Sequence, residues 1–159
     1  MLGKPANPMI DKAEMAIEAK VPAKFKGALA KVVHAGLTIM YAPSLKETMM
    51  HRIATSTSPA QDAGQGAARL VVELDKQSKG TMPQALRTPA AMLFAFEYLD
   101  LVAKVGKVQI TPQLISDATQ ATGDALLTAM GVKQQQLQQM IAAKGGGKSP
   151  GLINAPQGV

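Results

Sequence analysis

A chain of 159 residues that is 47% apolar and 18% charged is long enough to bury a core and too apolar to be disordered over most of its length. With no cysteine, it cannot have a disulfide framework, a zinc cluster or a thiol nucleophile, and its fold does not depend on the redox state of its compartment. The net charge of +6 is uneven: residues 1–31 carry six lysines against Asp11, Glu14 and Glu18, whereas residues 59–106 balance at five against five.

Punctuation by proline and glycine divides the chain into helices. The opening "MLGKPANPMIDKAEM" has no hydrophobic run, so no secretory signal is expected. Asn7-Pro8 predicts a helix over 8–20, because the Asn side chain can accept an orphan first-turn amide and proline suits the first helical position. A second helix is expected over 23–41. Gly27 and Gly36 each cost it about 1 kcal/mol relative to alanine, which predicts a break near Gly36 and a short interfacial "HAGLTIMYA" piece. Val32 to Leu45 is uncharged but shorter than the roughly 20 residues a helical membrane span needs.

A third helix is expected over 44–55, with Ser44 and Glu47 as a capping box. A fourth, over 59–79, starts at Ser58-Pro59 with Ser58 and Gln61 as a second box, and stops at Gly80. Thr88-Pro89 opens a helix over 89–105 that stops at Gly106, and Thr111-Pro112 opens another over 112–130 that stops at Gly131. "VGKVQIT", between these two, is too short and isolated for a sheet. A Gln-rich amphipathic helix is expected over 132–144, with Val132, Leu137, Met140 and Ile141 apolar. From Gly145 the Gly/Pro-rich composition reads as an extended arm, with Leu152 and Ile153 a candidate docking pair. The expected fold is all-α: a bundle of about six to seven helices in a domain over 1–144, followed by a flexible C-terminal tail over 145–159.

The most apolar segment is "TPAAMLFAFEYLDLVAK", Thr88 to Lys104, which holds three of the five aromatic residues. On a helix Glu97, Asp100 and Lys104 form one polar stripe, and the rest of the surface is apolar. Two acids near its middle argue against a membrane span. The pattern fits a mostly buried central helix. A protein–protein contact through Phe94, Phe96, Tyr98 and Leu101 is the sharper alternative. In the helix over 112–130, Leu114, Ala118, Ala121 and Ala125 line one face with Leu126 beside it. Such small residues admit a second helix closely, either within one copy or between copies of a ring.

No catalytic constellation emerges, so no enzyme activity, metal or cofactor is expected. His34 and His51 are the only histidines, and only Glu47, four residues before His51, stands at contact spacing. "DAGQGAAR" and the later "GGGK" lack the strand and the Lys-Ser/Thr of a phosphate loop. A glycosidase-like acid pair such as Glu97 and Asp100 has no supporting signature. Lys20, Lys24, Lys26 and Lys31 cluster about the first helix junction. They can serve sequence-independent contact with a DNA backbone or anionic lipid, but there is no aromatic platform for reading bases.

Together, the absence of cysteine, Ala/Met/Gln-rich helices such as "LLTAMGVKQQQLQQMIAAK", the capped "TSTSPAQDAGQGAARLVVELDKQSKG" and the tail "KSPGLINAPQGV" give the chain its character. In this it resembles the small internal, ejected virion proteins of short-tailed bacteriophages. The resemblance implies a non-enzymatic virion protein that associates with copies of itself and with other ejection proteins. Such a protein helps form a DNA conduit across the host outer membrane, in contact with envelope lipid. A DNA-associated head–tail connector or internal capsid protein is the alternative, and a lysis enzyme a third reading.

Overall fold

The computed structural model describes residues 7–131, in which the order of elements is α1 (Pro8–Lys20), α2 (Ala23–Met40), α3 (Pro43–Thr55), α4 (Pro59–Gln77), a 3-10 turn (Gln84–Leu86), α5 (Arg87–Lys104) and α6 (Pro112–Ala129). Among the described residues there is no strand, as the all-α reading expected. The helix expected over 132–144 and the tail over 145–159 lie outside the described residues. By internal contacts the chain divides into a unit ending at Leu126 and a second beginning at Leu127, and the core lies in the first.

Two of the proline starts are capped as the sequence requires. The Asn7 side chain accepts from the Met9 amide at 2.8 Å, and the Thr111 hydroxyl accepts from the Leu114 amide at 3.1 Å. The other starts differ. α3 begins at Pro43, so Ser44 falls inside the first turn and Ala42 holds the cap position with no side-chain bond. Ser58 stands at the cap of α4 without bonding it; instead the Ser56 hydroxyl donates to Asp62 at 2.5 Å. The 3-10 turn runs directly into α5, which places Thr88 and Pro89 in its first turn, where proline's missing amide still has no intrahelical partner. Gly80, Gly106 and Gly131 adopt positive φ, as expected for residues just past helix ends.

α5 is the centre of the bundle. From Ala90 to Val102 only Glu97 and Leu101 escape full burial, so this helix is apolar nearly all round because neighbours cover it nearly all round. α4 packs most heavily on it, followed by α1 and α2. α3 contributes only Ile53 to the core.

Two glycines are close-approach points. A Cβ on Gly36 would lie 2.1 Å from the Phe94 ring, and one on Gly64 would lie 2.5 Å from the Ala121 carbonyl carbon. Their helix-propensity cost is therefore offset by packing: the aromatic ring sits on the α2 backbone, and α4 and α6 meet backbone to backbone. α2 consequently runs unbroken through Gly36, and the expected break does not occur.

Candidate functional site

The residues singled out from sequence as an interface are mostly interior. Phe94, Phe96, Tyr98, Ala118, Ala121 and Leu126 are buried within one copy of the chain, and Leu101, Leu114 and Ala125 are half-buried and pack against that core. Within one copy these side chains are therefore largely covered. Lys20, Lys24, Lys26 and Lys31 are exposed, and Lys24 Nζ lies 5.1 Å above the Phe25 ring. Lys20 ends α1, Lys24 and Lys26 lie in the first turn of α2, and Lys31 lies further along α2, where it borders a cavity of about 460 Å³.

The cavity that stands out is on another side. The end of α2, with α3, α4 and α5, forms a groove of about 360 Å³. Its walls are Ile39, Met40, Leu45, Met49 and Leu70, and its floor is Phe94 and Tyr98. Such a volume with mostly apolar walls and a few polar groups is typical of a small-ligand site. Four charged residues line it: Arg52, Asp62, Arg69 and Glu73. The two carboxylates are engaged, Asp62 by Ser56 and Glu73 by the Gln77 side-chain amide at 3.1 Å. Among the described residues the two guanidinium groups form no ion pair; the pairs present are Arg87–Asp75 and Lys104–Asp100. Among the described residues the Tyr98 hydroxyl has no hydrogen-bond partner, and it is closed off from water. Burial pushes its pKa up, the Asp62 charge adds to this, and Arg52 acts the other way.

A second polar feature lies between α1 and α5. Glu14 is 3% exposed, and among the described residues its Oε1 has no partner. Burial, reinforced by Glu97, Asp100, Glu18 and Asp11, raises its pKa to about 8. Glu97 accepts from the Tyr41 hydroxyl at 2.5 Å, and Asp100 pairs with Lys104 at 2.9 Å. Burial and the bond to Glu97 push the Tyr41 pKa up. The polar stripe expected on α5 is thus a carboxyl-rich seam covered by α1. Among the described residues no group of His, Asp and Glu is placed to hold a metal ion.

Sequence reasoning missed both features. The groove has a faint signal in "IMYAPSLKETMMHR", where flexible Met and Leu residues crowd around a helix with little else to bury. Glu14 has none, because with Asp11 and Glu18 it reads as an ordinary solvated stripe. No helix among the described residues is long and apolar enough to cross a membrane. Comparison with known protein families, characterised proteins and solved structures finds nothing that matches the chain.

Proposed function

We propose that this chain is a non-enzymatic, self-associating assembly protein of a tailed-phage particle, with its subunit contact on the outer surface of α3 and the turn before it. The observation that supports this reading is the exposure of α3. Only Ile53 of its 13 residues is buried, while Tyr41, Leu45 and Met50 stand 49%, 40% and 40% exposed along one stretch of chain. Large apolar side chains left exposed in this way are candidates for a protein contact. Membership of a phage particle, passage into the host envelope and a share in a DNA conduit there, beside other ejection proteins and envelope lipid, draw on the cysteine-free, Ala/Met/Gln-rich composition.

Light scattering on the chromatographed chain tests the contact. The expected mass is a discrete multiple of 16.6 kDa. Leu45→Glu with Met50→Glu is expected to reduce it to the single-chain mass with unchanged helicity, because both side chains leave the core untouched. A wild-type monomer at high concentration would overturn the reading.

The exposure of Lys20, Lys24, Lys26 and Lys31 favours a second reading, a connector or internal capsid protein that rests on DNA. Retention on DNA would then fall steeply with salt. Replacing Lys20, Lys24 and Lys26 with glutamine would flatten the log–log slope by roughly 0.9 for each phosphate no longer neutralised. No retention at low salt eliminates this reading.

A further inference from the structure

Leu45 lines the groove and is also 40% exposed, so it stands at the rim with apolar surface in water. Behind it, Met40, Met49 and Leu70 are only half-buried by their own copy. Gly66 keeps the middle of the α4 wall open. A Cβ there would meet nothing closer than Arg52 Nη1 at 3.7 Å, so a methyl group would fit and would favour the helix. Through Leu45, the exposed surface of α3 therefore runs directly into an unfilled apolar groove.

The charges are ordered along this groove. Residues 56–58 link α3 to α4, and Arg52 and Asp62 flank the link, so they mark the near end. Arg52 Nη1 lies beside Gly66. Glu73 is seven residues beyond Gly66 on α4, and Leu45 is seven residues before Arg52 on α3; each is about 10 Å farther along its helix, at the far end. Arg69 stands between. Among the described residues none of the four charges is in an ion pair: Asp62 accepts from the Ser56 hydroxyl and Glu73 from the Gln77 amide, both neutral donors. Two charges of each sign sum to zero. A site for an ion needs an excess of one sign. A surface that meets its own copy needs balance, because any excess would face itself.

We infer that the occupant of the groove is a second copy of this chain, bound by the same surface about a two-fold axis. Rotation about that axis turns the groove end for end. It brings Arg52, at the near end, against Glu73 of the partner subunit, at the far end, and the reverse pair forms with it. Leu45 at the rim then enters the partner subunit's groove, where unbranched, polarisable methionine side chains adapt to it. A guanidinium matches the two oxygens of a carboxylate, so the Arg52–Glu73 pair fixes the register of the contact. The inference rests on the assembly reading above and adds to it the partner surface and the symmetry. A contact of this kind closes with two copies.

The test uses the full chain and two charge reversals, Arg52→Glu and Glu73→Arg, followed by light scattering over a range of concentrations. Both residues are exposed, so both variants are expected to keep the helicity of the wild type. The expected wild-type mass is twice 16.6 kDa. Each variant alone sets like charges together at two places and is expected to weaken the dimer by about tenfold or more. An equimolar mixture of the two variants restores opposite charges at both places and is expected to recover the dimer. A pair formed inside one copy gives no recovery on mixing, because neither variant then holds a matched pair. A wild-type chain that stays single at every concentration overturns both this inference and the assembly reading. A wild-type assembly that neither variant weakens, that mixing fails to restore, or that holds an odd number of copies overturns this inference and leaves the assembly reading standing.

Discussion

Phe94→Ala is expected to lower the free energy of unfolding by about 3–5 kcal/mol, the usual cost of deleting a buried aromatic ring. Phe94 is 1% exposed, its ring lies against the α2 backbone at Gly36, and its other side forms part of the groove floor. At Gly36 α2 has no side chain to offer in place of the ring. Partial collapse into the void would place the cost at the low end of the range. The measurement is a urea transition followed by helical circular dichroism, with the slope compared between variants so that a looser native state is not mistaken for a less stable one. The outcome also decides between core and interface. A near-unchanged transition accompanied by a lower oligomer mass would make Phe94 an intersubunit contact, contrary to its burial within one copy.

Glu14→Gln is expected to stabilise the protein, and by an amount that depends on pH. The Glu14 carboxyl is held protonated in the fold, with its pKa raised from 4.5 to about 8, first by burial and then by Glu97, Asp100, Glu18 and Asp11. On the α5 side of this seam stands the cation Lys104, which is bound to Asp100. The folded chain therefore retains a proton that the unfolded chain has lost over the window between those two values. Stability falls as pH rises through this window, is unaffected by this group below it, and levels off above it. Glutamine is close in shape to the protonated acid and does not ionise, so the variant lacks this slope. At pH 9 the difference is expected to be on the order of 3–5 kcal/mol, and near pH 4 it should nearly vanish. Unfolding transitions of both proteins at pH 4, 7 and 9 provide the check, and parallel pH profiles would refute the assignment. Because Glu14 joins α1 to α5, the pH-dependent loss should appear first as release of α1, seen as faster amide exchange from Ile10 to Ile17.

The number and order of the helices from Pro8 to Ala129, and their limits to within about two residues, are legible in the residues, because starts and stops are local matters. Asn7 and Thr111 cap amides two or three residues away, proline fits the first turn, and glycine accepts the left-handed backbone past the last turn. That the segment around Phe94 is central also follows from its pattern, since a helix with one narrow polar stripe must be covered nearly all round. Local reading fails where a helix continues or where a glycine meets a distant partner. Gly36 looks like a breakpoint and is a packing point, because what it meets is Phe94, 58 residues away along the chain.

The tertiary structure alone decides which apolar faces are interior and which groups are exposed. Tyr98 and Tyr41 are both tyrosines on helical segments rich in Met, Leu and Ala, yet one is enclosed and the other bonds Glu97 from the surface. Glu14 resembles Glu18 in sequence and differs from it only in lying under α5. Helix formation is governed by bonds between residues four apart. Burial, pKa and the groove depend on which surfaces meet across tens of residues, and a linear pattern specifies that an apolar face must be covered without specifying what covers it.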